Sequence, residues 1–176
     1  MTNENKDLQV QEDNEVTVIG NNIVEENDKY VVKKVADPKT GEIKFVRQAK
    51  YTEYSSIKTE TREDKLWLFQ VYEGDEDSGY GLKNNIGKEI EVQDIILRPY
   101  DRIDEDTGEK EFGVLTYLIT PKKEVYVTSS KTVYFTITRL MELFGTPDSD
   151  EWENIKVKVD SEKGQHGDII KIKMIG

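Results

Sequence analysis

The chain has 176 residues, with 36 acidic against 25 basic side chains and a net charge of −11. That length suits one domain of ordinary size plus an extension, and the absence of cysteine excludes disulfides, thiolate zinc sites and cysteine nucleophiles. No apolar run approaches the roughly 18 residues of a membrane span, and the polar, acidic start lacks the basic and apolar pattern of a signal peptide, so a cytoplasmic protein without membrane contact is expected.

Residues 1–28 are rich in Asn, Asp and Glu, with Val16-Thr-Val-Ile and Ile23-Val24 as their apolar clusters. This composition predicts an acidic, mostly disordered tail. Residues 29–60 read as an N-terminal β-hairpin extension: Tyr30 to Val35 and Glu42 to Gln48 flank Asp37-Pro-Lys-Thr-Gly, where Gly41 supplies the positive φ of a bulged turn. Tyr51 to Thr59 is a candidate strand. Thr61-Arg-Glu-Asp64 has the pattern of a capping box, but Lys65 to Tyr72 behind it fits a helix or a strand. After a Gly-rich acidic loop, Leu82 to Ile86 makes a turn of helix or a docking loop, and Glu89 to Leu97 reads as one long strand.

Asp101 to Glu109 is a hairpin loop with Asp106-Thr-Gly108 at its tip. It leads into the stretch around which the chain is organised, with strands from Glu111 to Thr120 and Glu124 to Thr128 and then a helix. In that helix Val133, Ile137, Leu140 and Phe144 share a face, Ser130 is the N-cap, and Gly145 with Pro147 ends it. Trp152 to Val159 and Asp168 to Met174 supply two more strands. Strand, strand, strand, helix, strand, strand is the element order of an OB-fold, a five-stranded Greek-key barrel. The fold class expected is therefore all-β with one or two helices, an OB-fold-like barrel over residues 61–176 behind the hairpin extension; an open α+β sandwich has the same order.

Thr61 to Gly176 resembles the small single-stranded DNA-binding proteins encoded by Gram-positive phages and conjugative plasmids. The residues that carry the resemblance are Leu82-Lys-Asn-Asn-Ile-Gly-Lys-Glu-Ile-Glu-Val, the Thr107-Gly-Glu loop, Leu115-Thr-Tyr-Leu-Ile, Tyr126 through Ser130 with Val133, and Phe144-Gly-Thr-Pro with Trp152 after it. It departs in its first 60 residues and at Phe112-Gly-Val, where a basic residue would be expected. The resemblance implies sequence-tolerant binding of single-stranded DNA during replication or transfer. It also implies a homo-oligomer or cooperative assembly on the DNA, and replication or transfer proteins as further partners.

Such a groove needs aromatic faces for bases and cations for phosphates. Tyr100, Phe112, Tyr117 and Tyr126 lie on or beside the first three barrel strands, with Arg98, Arg102, Lys122, Lys123 and Lys131 near them in sequence. Tyrosine also favours strands for its own sake, so these rings equally fit half-buried sheet positions. A second basic and aromatic set lies on the hairpin: Lys33, Lys34, Lys44, Phe45 and Arg47, with Lys50 and Tyr51. Lysines there also suit a solvated edge hairpin.

No enzyme pattern emerges. Glu42-Ile-Lys44 behind Asp37 straddles a turn and lacks the spacing of a metal-dependent nuclease, the Asp75-Glu-Asp and Asp104-Glu-Asp runs lack the alternation of a calcium loop, and His166 sits alone in a turn. No cofactor or metal is expected. The net charge supports an alternative from another class, an acidic protein-interaction module that does not bind DNA or mimics it.

Overall fold

A computed structural model of the protein describes residues 22–27, 30–37, 39–74, 76 and 80–176. Two short sequences with one chemistry shape its first features. In Asp37-Pro-Lys-Thr-Gly-Glu the Asp37 carboxylate accepts the amides of Lys39 and Thr40, Gly41 donates to the Asp37 carbonyl, and Glu42 donates to the Thr40 hydroxyl. Asp104-Glu-Asp-Thr-Gly-Glu repeats every one of these bonds, from Asp106, Thr107, Gly108 and Glu109. Gly41 and Gly108 both sit at φ 69°, where a Cβ would be strained.

The chain divides into two compact units. The first holds the described residues up to Tyr51 together with Asp101–Phe112. Its sheet is β1 (Ile23–Glu26), β2 (Tyr30–Ala36) and β3 (Ile43–Ala49), in that order and antiparallel. The end of the stretch expected to be disordered is thus a strand, because Ile23 to Glu26 satisfies the edge of β2. Residues 1–21 and 28 lie outside the described residues, as do 75 and 77–79 of the acidic loop.

The second unit, Thr52–Tyr100 with Gly113–Gly176, holds the larger core. Its elements are β4 (Tyr54–Ser55), α1 (Arg62–Glu73), a 3-10 turn (Leu82–Asn84), β5 (Glu89–Glu91), β6 (Asp94–Ile103), β7 (Lys110–Ile119), β8 (Val125–Thr128), α2 (Lys131–Phe144), β9 (Lys156–Gly164) and β10 (Gly167–Met174). The distal parts of β6 and β7 belong to the first unit. One sheet runs β4-β6-β7-β8 and the other β10-β9-β5. The described protein is therefore mostly β, with two α-helices and antiparallel strand pairs, as the pattern of the sequence predicts.

The strand expected from Glu89 to Leu97 is in fact two. The Val92 amide donates to the Ile155 carbonyl at 2.8 Å and the Gln93 amide to the Ile119 carbonyl at 2.9 Å, so consecutive residues are committed to different sheets and the chain bends between them. Trp152 secures this corner: its buried indole N–H donates to the Val92 carbonyl at 2.9 Å. Trp152 itself lies in the loop between α2 and β9, and the strand expected to start there begins at Lys156. Of Tyr51 to Thr59, Tyr54–Ser55 is a strand, on β6.

Lys65 to Tyr72 resolves as helix. The Thr61 hydroxyl accepts from the Asp64 amide and the Asp64 carboxylate from the Thr61 amide, a complete capping box. Trp67, Leu68, Val71 and Tyr72 then pack on Ile96, Tyr117, Ile119 and Val127, which share one face of the four-stranded sheet. α2 lies between β8 and β9, capped by Ser130, whose hydroxyl also donates to the Ile170 carbonyl of β10 at 2.6 Å. Gly145, at φ 75°, ends it.

Candidate nucleic-acid interface

β-strand alternation fixes which predicted residues face together. On β7 the odd positions Leu115, Tyr117 and Ile119 turn toward α1, and this covering decides the fate of the expected stacking face. Tyr117 is 0% exposed, in edge contact with Tyr72 of α1 at 6.0 Å between ring centres. Its hydroxyl has no hydrogen-bond partner, and burial raises its pKa although the nearby Arg98 charge opposes this. Tyr126 is 3% exposed, with the Lys88 ammonium 4.7 Å from its ring centre. Neither ring offers an open face, so in this structure both are core residues: the sheet face that carries Tyr117 is covered by α1, and Tyr126, opposite Leu118, is buried on the other face.

The cations expected beside these rings are dispersed. Arg98 places its guanidinium 4.4 Å from the Tyr72 ring centre, and Lys123, held at φ 62° in the β7–β8 turn, places its ammonium 5.4 Å from that of Trp67. Lys122 is exposed in the same turn, and Lys131 is exposed at the first position of α2. Trp67 and Lys123 line a cleft of about 500 Å³ that also includes Lys58 and the acids Asp64, Asp94, Asp148 and Asp150. Four carboxylates make it a poor seat for phosphate. Tyr100 is half-buried against Gly113, where a Cβ would come within 2.3 Å of the tyrosine ring.

Phe112 has a different setting. The ammonium groups of Lys110, Lys33 and Lys50 lie 5.1, 5.4 and 5.9 Å from its ring centre, all within the first unit. Two carboxylates hold two of these lysines: Glu26 pairs with Lys50 at 2.8 Å and Lys110 at 3.7 Å, and Asp101 with Lys110 at 3.0 Å. The Lys50 hydrogen bond is the main reason that the Glu26 pKa is lowered, and the Asp101 hydrogen bond the main reason that the Lys110 pKa is raised. Arg102 is paired instead with Glu111, at 2.9 Å. A half-buried ring with three ammonium groups over it gathers the two kinds of group, aromatic and cationic, that a single-stranded nucleic acid uses.

The hairpin candidates divide between two faces. Lys33 and Lys44 lie on one, with Lys44 3.8 Å from Asp37. Lys34, Phe45 and Arg47 lie on the other, where the Arg47 guanidinium sits 3.6 Å from the ring centre of Tyr30. Sequence reasoning missed Lys110, although it stands two residues before Phe112 on one strand and so shares its face. It also missed Tyr30, Trp67 and Tyr72, whose cation partners are distant in sequence, and Lys88, whose ring partner Tyr126 is equally distant, so none left a local signal.

Among the described residues no group of three His, Asp or Glu side chains is placed to hold a metal, and no helix is long and apolar enough to cross a membrane.

Comparison with known proteins agrees with the aromatic and basic character of these surfaces. A family model described as phage single-stranded DNA-binding protein matches residues 47–173. Over 135 residues the chain is 38% identical to the single-stranded DNA-binding protein of Bacillus phage GA-1, a span that covers 76% of this chain and 79% of that protein. No solved structure matches.

Proposed function

The chain belongs to the phage single-stranded DNA-binding protein family, and from that premise we propose that it coats single-stranded DNA with little sequence preference while a phage or plasmid genome is replicated or transferred. The observation that carries the reading to particular residues is the convergence of Lys33, Lys50 and Lys110 on Phe112. A base stacks on the Phe112 ring, Lys50 and Lys110 exchange the carboxylates of Glu26 and Asp101 for phosphates, and Lys33 joins them. Every base has a π-face, so such a contact tolerates any sequence.

The action is binding without catalysis, inside the host cell. Residues 61–176 form an OB-fold: the neighbour order β8-β7-β6 and β5-β9-β10, joined by the β5–β6 bend, supports a five-stranded barrel. Residues 29–60 are its hairpin extension, to whose edge the acidic segment before it adds β1. Copies of the chain coat the DNA cooperatively, and replication or transfer proteins are its further partners.

Anisotropy titrations of labelled single-stranded DNA, duplex DNA and RNA at several salt concentrations test this. Single-stranded DNA is expected to bind most tightly. Phe112→Ala is expected to weaken it about tenfold with little change in salt dependence, and alanine at Lys33, Lys50 and Lys110 to flatten the salt slope by about 0.7 for each lysine. Thermal melts confirm that the variants are folded. Folded variants with unchanged affinity move the site elsewhere; no binding by the native chain favours the acidic protein-interaction module instead.

A further inference from the structure

β2 and β3 pair with Tyr30 opposite Ala49, Val32 opposite Arg47, Lys34 opposite Phe45 and Ala36 opposite Ile43, so these eight positions share one face of the three-stranded sheet. Two of its aromatic positions and both of its cations interleave. Phe45 is 65% exposed, across from Lys34, and the Arg47 guanidinium lies flat enough over Tyr30 to come within 3.6 Å of its ring centre. The Tyr30 hydroxyl donates to Glu25 at 2.7 Å, which anchors the rim of the ring and leaves one acid beside two cations. Lys33, which serves Phe112, projects from the opposite face.

We propose that this face is a second contact for single-stranded DNA, in which one base stacks on Phe45 while Arg47 and Lys34 meet the phosphates beside it. The proposal rests on single-stranded DNA being the ligand and adds a place where it is held. A large exposed ring flanked by cations suits a polyanion with flat bases. A second copy of the chain docked face to face would set Arg47 and Lys34 against their own counterparts, since a two-fold interface presents the same patch on both sides.

Phe45 is surface-exposed, so its truncation leaves the fold largely undisturbed. In the full-length chain, Phe45→Ala is expected to lower affinity for an oligothymidylate about tenfold and to shorten the length of DNA occluded per protein at saturation. Arg47→Gln is expected to reduce the slope of log affinity against log salt by about 0.7. Sedimentation without DNA should give the same mass for the native chain and Phe45→Ala. Native affinity and native occluded length in folded Phe45→Ala would overturn the proposal, as would a mass that falls on the substitution, which would assign the face to a second copy. If the native chain fails to bind the oligonucleotide at all, the ligand itself is wrong; if it binds and only the Phe45 and Arg47 variants are silent, the ligand stands and this face is not its seat.

Discussion

Glu26 reaches Lys50 and Lys110 at once, two of the three cations that DNA would also need, so one carboxylate sets how readily the Phe112 cluster gives up its internal partners. Glu26→Gln is expected to tighten single-stranded DNA binding about two- to fivefold at neutral pH, the scale of an exposed ion pair. The pH dependence follows from the lowered Glu26 pKa. The ion pairs contribute stability above the ordinary carboxylate value of 4.5, and that contribution is lost as the pH falls through the lower folded value. The affinity advantage of Glu26→Gln should therefore persist to pH 4.5 and close below it, read by titration at stepped pH. Tyr117 makes the opposite case, a ring whose value lies in packing. Its hydroxyl is buried without a partner, so Tyr117→Phe should leave DNA affinity unchanged and the melting temperature equal or higher. Tyr117→Ala empties the space beneath α1 and should cost about 3–5 kcal/mol in denaturant unfolding.

The elements with self-contained chemistry were the legible ones. Asp37 to Gly41 makes its turn with bonds inside six residues, and Ser130 with Gly145 brackets α2 by local capping, so the residue types reveal both. α1 had a legible start and an ambiguous body: its capping box was plain, but only packing on Ile96, Tyr117, Ile119 and Val127 decides helix over strand. The same packing hid the site. Alternation places Tyr117 on a face with Leu115 and Ile119, yet says nothing of what covers that face. Likewise the bend at Val92 depends on Ile155 and Ile119, far along the chain, and left the run from Glu89 to Leu97 reading as one strand. Because the capping box fixes a helix over these rings, Thr61→Ala is expected to cost about 1 kcal/mol, seen as a drop of about 2–4 °C in melting temperature. Hydrogen exchange should quicken first in Arg62–Glu73.

For the molecule as a whole, a net charge of −11 means that binding to a polyanion depends on local groups against an unfavourable average field. With Lys33, Lys50 and Lys110 as the phosphate contacts, log affinity should fall with log salt at a slope of about −2 for this cluster, and more steeply by the contribution of Arg47 and Lys34 if both surfaces engage. The two tryptophans, Trp67 and Trp152, add a built-in optical consequence. Trp152 is sealed in the bend with its indole N–H bonded, and its emission should be blue-shifted and indifferent to iodide, whereas Trp67 borders an open cleft and should be quenched. Both lie in the unit that contains the larger core, and neither in the unit of Phe112 and Phe45. Tyr30 lies directly under Arg47 on the Phe45 face, so a ligand seated there should change tyrosine emission at its source, and the colour of the signal reports which ring the strand has touched.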